Sequence, residues 1–307
     1  MKISAIVPVY NGAGRLASCL ESILASARAA ESAAAELELV VVDDASTDGT
    51  GAVVEDFRRR VPGMVAVRHA ENLGSGEARN TGLANASGSW IAWVDADDLV
   101  APAWFGSIVS AIGKEDADAI AFAANMHRRG ETRTIRYCSV ACLVDAAEFC
   151  RDALRDLGVS TWMWNKVFRH ELFDGLAFSG RCQEDFRILP RVMARARRVR
   201  NIPDALYEYN RPEGSLSRHG DASGSRDGLI ECLGVDWRNE GFDGAMQSAW
   251  LEGIALRAAD YLRNCAPDAE LRSFLRKNAF RVLLDARQPF RQKAKCLIAC
   301  LRAGGAQ

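Results

Sequence analysis

Several things are missing from this 307-residue sequence, and each absence removes a class of function. The nine cysteines, at positions 19, 138, 142, 150, 182, 232, 265, 296 and 300, include no Cys-x-x-Cys pair. A structural zinc site is therefore not expected. Met1-Lys2 runs directly into Ile3-Ser4-Ala5-Ile6-Val7, with no apolar h-region and no small-residue cleavage site. The expectation is a cytoplasmic protein with reduced thiols. No uncharged apolar run approaches the roughly 18–20 residues that span a bilayer. Lysine is scarce, only six residues, and the 39 Lys and Arg together are offset by 40 Asp and Glu to a net charge of −1. A dedicated nucleic-acid binder carries a pronounced basic excess, so no nucleic-acid partner is expected. Neither Gly-x-Gly-x-x-Gly nor Gly-x-x-x-x-Gly-Lys-Ser/Thr follows the first apolar segment, which argues against a dinucleotide dehydrogenase and against a P-loop enzyme.

What is present is an alternation. Apolar, β-rich segments at 3–9, 37–42, 65–68 and 90–94 alternate with helical periodicity at 14–28, 50–60 and 76–86. That rhythm predicts an α/β fold, a mostly parallel sheet flanked by helices on both faces, with ligands at the carboxyl ends of the strands. Three of those ends carry polar clusters: Pro8-Val9-Tyr10-Asn11-Gly12, Asp43-Asp44-Ala45-Ser46-Thr47-Asp48-Gly49 and Asp95-Ala96-Asp97-Asp98. Further on, the pattern predicts a helix to about 112, strands at 119–123 and 132–137, a helix at 184–194 and a strand at 199–209. From 221 the periodicity is helical only.

The acidic clusters admit two kinds of reading. Asp95 and Asp97 at the end of a buried strand are costly unless paired with a cation. Hard oxygen ligands suit Mg2+ or Mn2+, which accept substrate phosphate oxygens as further ligands. A solvated turn or helix cap is the alternative. Behind Asp43-Asp44, Thr47 or Asp48 can cap the next helix, while a strand-end carboxylate can also accept from the N–H of a base or from ribose hydroxyls.

Four blocks in this order resemble the family 2 glycosyltransferases with a GT-A fold: Val7-Pro8-Val9-Tyr10-Asn11, Val42 to Thr50, Asn72-Leu73-Gly74-Ser75-Gly76-Glu77-Ala78-Arg79-Asn80, and Trp93-Val94-Asp95-Ala96-Asp97-Asp98. The resemblance covers residues 1–125 strongly and runs more weakly to about 218. It implies a GT-A domain over 1–220, with a nucleotide-sugar-binding half at 1–125 and an acceptor half at 126–220, followed by a helical region at 221–307. It implies that Pro8, Val9, Tyr10 and Asn11 line the nucleotide base, that Asp44 accepts from uracil, and that Asn72 and Arg79 reach the nucleotide. Asp95, Ala96 and Asp97 then bracket the ribose and a divalent cation, Mn2+ or Mg2+, with Asp97 the direct ligand and Asp95 beside it.

Cys182-Gln183-Glu184-Asp185-Phe186 resembles the acidic motif that supplies the family's catalytic base, which falls on Asp185, with Glu184 beside it. Acids in a first helical turn also serve as caps, and the two roles are compatible. Trp162-Met163-Trp164-Asn165-Lys166-Val167-Phe168 is similar to a pattern of polysaccharide-building members. There Trp164, Asn165 and Lys166 either meet acceptor and diphosphate, or the aromatics pack with Lys166 exposed. Gly214-Ser215-Leu216-Ser217 resembles the end of the domain, and His219 just after it is a candidate metal ligand. The implied activity is inverting transfer of a sugar from a UDP-sugar donor to a glycan or lipid-linked acceptor. A nucleotidyltransferase and a non-catalytic nucleotide-sugar-binding protein stay open as alternatives.

Between Leu271 and Gln307 nine Lys and Arg stand against Asp285 alone. Phe290, Leu297, Ile298 and Leu301 alternate there with Arg291, Lys293, Lys295 and Arg302. Such a helix either lies peripherally on the anionic inner face of the membrane or packs on the catalytic domain with a solvated basic face.

Overall fold

The computed structural model describes residues 1–30, 35–114, 116–128, 130–180, 182–210, 222–235, 240 and 242–302. Ten strands form one sheet. The first four, β1 (Lys2–Val9), β2 (Glu36–Asp43), β3 (Val65–Arg68) and β4 (Trp90–Trp93), are parallel in the spatial order β3-β2-β1-β4. They are linked by α1 (Leu16–Arg28), α2 (Thr50–Arg60) and α3 (Ser75–Asn85). The expected alternation is thus observed, with ends within two residues of those read from periodicity.

Beyond β4 the sheet becomes mixed. Its chain order continues through β5 (Leu99–Val100), α4 (Trp104–Ile112), β6 (Ala119–Arg128), β7 (Glu131–Ile135), β8 (Cys142–Asp145), α5 (Ala146–Leu154), β9 (Lys166–Arg169), α6 (Glu184–Met193) and β10 (Arg198–Asn210). β9 lies antiparallel between β4 and β6, and β6 pairs parallel with β10. The Trp-x-Trp-Asn-Lys segment therefore leads into a central strand, which its short aromatic-polar sequence did not announce. β8 and α5 are likewise additions to the sequence-based expectation.

Both faces of the sheet are covered, because each strand distributes its side chains with period two. Ile3, Ala5, Val7 and Val9 pack with Leu16, Leu20 and Ile23 of α1 and Trp104 and Phe105 of α4, whereas Ile6 faces Trp93, Phe149, Phe168 and Phe178 in a second cluster. α3 has little amphipathic contrast. It docks through small residues: a Cβ on Gly82 would lie 2.3 Å from Ile6 Cγ2, so glycine there permits the close approach of helix to strand.

The final elements are α7 (Ala222–Leu233), α8 (Gly244–Asn264), α9 (Ala269–Leu284) and α10 (Phe290–Arg302). α8 starts at Asp243, whose side chain accepts from the Met246 N–H, and it buries Met246, Ala249, Trp250 and Ile254 in the second sheet cluster. Trp250 stacks on Phe186 of α6 at 4.4 Å. The helical region thus shares a core with the α/β unit, while α9 and α10 add a smaller cluster around Leu275, Ala279, Val282, Cys296 and Ala299. The expected division near residue 220 lies outside the described residues, as do the Gly-Ser-x-Ser segment and His219.

Candidate active site

The carboxyl ends of β1, β2 and β4 converge with the start of α6. The loops after β1 and β2 are cross-tied. The Asn11 and Gly12 N–H groups donate to Ser46 Oγ and Thr50 Oγ1, and Asn11 Oδ1 accepts from the Thr47 N–H. Asn11 and Ala45 have φ of 49° and 59°, the left-handed region, which turns both loops sharply at the strand ends. Tyr10 is left 48% exposed on this edge. Val9, expected in the same binding strip, instead turns its side chain into the core, because it continues the inward alternation of β1.

Asp44 is buried, and its carboxylate accepts from the Leu73 and Gly74 N–H groups at 2.9 and 2.8 Å and lies 2.7 Å from His69 Nδ1. Asn72 Nδ2 donates to the Asp44 carbonyl at 3.4 Å. The pair Asp44 and Asn72 thus shapes the 72–75 loop that opens α3. Asp43 accepts from the Ser46 N–H and pairs with Arg68 at 2.9 Å.

Arg79 is the junction of the site. From α3 its guanidinium donates to Glu184 Oε1 at 2.7 Å and Asp95 Oδ1 at 3.2 Å, and stands 3.5 Å from Asp185 Oδ1. Ser75 Oγ also donates to Glu184, at 2.6 Å. The guanidinium is buried, which disfavours its charge, but Asp185, Glu184 and Asp95 outweigh that and hold its pKa above the ordinary value. The surface role that a helical arginine could have had is excluded by this burial.

Asp185 lies at the start of α6, after Gln183 in a left-handed conformation. The Met163 N–H donates to its Oδ2 at 3.2 Å, while Oδ1 has no hydrogen-bond partner. Burial, offset by Arg79 and reinforced by Glu184 and Asp95, pushes its pKa up to about 6. Asp95 is also raised, first by burial, against the pull of Arg79. Its backbone N–H donates to Tyr207 Oη at 3.0 Å. Asp97 lies 3.5 Å from Arg15 and lines a cavity of about 410 Å³ with Ser18, Asp98, His127 and Asn210. Asp98 is fully buried and pushed up to about 9 by burial and by Asp95 and Asp97.

Trp164, Asn165 and Lys166 are not on the acceptor surface. Trp164 is buried, stacked at 5.1 Å on Trp162 and at 4.6 Å on Tyr207. Lys166, only 1% exposed, donates to the carbonyls of Ser160 and Trp162 and to Asn165 Oδ1 at 2.8, 2.6 and 2.8 Å. Three donors meet three acceptors, so the amine is spent on its own turn, and burial lowers its pKa to about 7. Neither an exposed lysine nor a diphosphate contact is compatible with that position. The turn it holds presents the Met163 N–H to Asp185.

Residues 4–173 match the model of glycosyl transferase family 2, more than half of the chain. The chain belongs to that family. Glycosyltransferase GlyG of Streptococcus pneumoniae serotype 4 is 30% identical over 248 residues, covering 75% of this chain and 78% of GlyG. Among solved structures, TarS 1–349 of S. aureus in complex with UDP-GlcNAc superposes with a TM-score of 0.62 at 20% identity, over 98% of this chain and 89% of that one. Mannosyltransferase PcManGT from Pyrobaculum calidifontis, in complex with GDP-Man and Mn2+, superposes with a TM-score of 0.55 at 20% identity, over 99% and 87% of the two chains. At such identities the structural likeness speaks for the fold alone. This family 2 glycosyltransferase therefore has the expected GT-A architecture and is a transferase. No helix among its described residues is long and apolar enough to cross a membrane.

Proposed function

We propose that this enzyme transfers a sugar from a UDP-sugar to an acceptor hydroxyl of a cell-surface polysaccharide or related glycan, by a single displacement that inverts the anomeric carbon. The observation that carries the reading is Asp185: buried, anchored through one oxygen by Met163, with the other oxygen free of hydrogen bonds 3.5 Å from Arg79, and a pKa of about 6. A carboxylate so held is a general base at neutral pH. Asp185 Oδ1 takes the proton of the acceptor hydroxyl as its oxygen attacks the face opposite the departing diphosphate. No second, covalent carboxylate is needed, in contrast to retaining glycosidases. Arg79 keeps Asp185 ionised while burial works against it. The donor reading is supported by the UDP-GlcNAc bound to TarS, and the acceptor reading by the name of TarS, a poly(ribitol-phosphate) β-N-acetylglucosaminyltransferase.

Among the described residues no three His, Cys, Asp or Glu converge into a cation cage. Mg2+ and Mn2+ bind through one or two carboxylates plus substrate phosphates, a demand that Asp95 and Asp97 fit, both keeping part of their side chains accessible. Bound there, the ion would offset the charge that grows on the leaving diphosphate.

Asp185→Asn tests the base. UDP-sugar affinity should be retained while transfer falls by about 10²–10⁴-fold, and wild-type turnover in that variant would overturn the assignment.

A further inference from the structure

Helix α10 is apolar on two opposite faces. Inward, Cys296 and Ala299 are buried with Leu275, Ala279 and Val282 of α9 and Ala255, Leu256 and Ala259 of α8. Outward, Phe290, Leu301 and Leu297 are 85%, 68% and 48% exposed. With 3.6 residues per turn these three fall within about 40° of one another, opposite Cys296 and Ala299. Ile298 widens the stripe, and Arg291 and Lys293 fall on its two flanks. Of the ten large hydrophobic side chains that the described residues expose, six lie between Phe280 and Leu301. The same segment belongs to the stretch from 271 onward that carries an excess of eight positive charges.

A second copy of the chain is a poor occupant for this face, because an isologous contact would bring Arg291 and Lys293 and their basic surroundings against their own kind. An anionic lipid surface matches both halves of the pattern. We propose that α10 docks the enzyme on an anionic bilayer, with Phe290, Leu297 and Leu301 entering the headgroup layer and Arg291 and Lys293 facing lipid phosphates. The inward face keeps α10 packed on α8 and α9 while the outward face meets lipid, so docking needs no unfolding. This inference is independent of the sugar transferred.

Flotation of the whole chain with phosphatidylcholine vesicles, with and without phosphatidylglycerol, tests it. The wild type should float with the anionic vesicles, poorly with the neutral ones, and less as salt rises. Phe290→Ser/Leu297→Ser/Leu301→Ser should lower partitioning on the order of a hundredfold. Arg291→Glu/Lys293→Glu should lower it by at least about tenfold, and both variants should keep the wild-type melting temperature. Equal flotation on the two vesicle types, unchanged flotation of either variant, or a wild-type dimer that dissociates in the triple variant without any flotation would overturn the proposal. If the triple variant does not fold, the charge-reversal pair decides alone.

Discussion

The backbone N–H of Met163 donates to one oxygen of Asp185 at 3.2 Å and leaves the other without a hydrogen bond. The carboxyl is thereby fixed in direction but not saturated, and burial raises its pKa to about 6. The base form is the deprotonated one, so turnover should rise with pH through about 6 and level off above it, falling about tenfold per unit on the acid side. A kcat profile between about pH 5 and 8 checks this. A flat profile would remove Asp185 from the proton transfer.

Arg79 serves three carboxylates from a buried position. Arg79→Met leaves them without their cation and should destabilise the fold by about 3–5 kcal/mol, the cost of stranding buried charge. Arg79→Lys keeps the charge but loses the planar fork, so it should recover only part of that loss. Urea unfolding of the three proteins measures it.

Lys166 holds the turn that carries Met163. Lys166→Met removes three donated hydrogen bonds and should lower kcat on the order of tenfold to a hundredfold at unchanged donor KM, because the buried amine is already spent on its own turn. The sign of its pH effect also follows. Its pKa is lowered to about 7 in the fold, so between about 7 and the ordinary lysine value near 10.4 the unfolded chain binds more protons. Wild-type stability should therefore gain on that of Lys166→Met as pH rises through that window. A constant difference across it would place the amine in solvent.

Ala45 occupies the left-handed region with φ of 59°. An L side chain there costs about 1–2 kcal/mol that glycine does not incur, partly offset by the extra freedom glycine gives the unfolded chain. Ala45→Gly should raise stability by up to about 1 kcal/mol in denaturant unfolding. A loss would mean that the methyl packs usefully in the turn.

How much of this was legible depended on how each residue acts. Asp95, Arg79, Glu184 and Asp185 carry charged side chains within motifs of the family resemblance, so the resemblance points to them, and the fold brings them within one cluster. Met163 acts through a backbone N–H, and no residue identity records that. Lys166 reads as a surface cation because its burial depends on β9 lying between β4 and β6, a pairing decided by residues far away in sequence. Tyr207 supports Asp95 from β10 through its hydroxyl, and in a strand pattern it is one more buried aromatic. Val9 and Tyr10 stand side by side in the expected strip, but alternation along β1 turns only Tyr10 outward.

β9 has a mechanical meaning as well. By hydrogen-bonding to Trp90–Ala92 on one side and Ala119–Ala121 on the other, it makes the elements behind Asp95 and those behind Asp185 parts of a single plate. A cleft between two hinged lobes can adjust its width to its substrates; a continuous sheet cannot. The separation between Asp95 and Asp185 is therefore built in at folding, and substrates of different size must be accommodated by the loops along the sheet's edge.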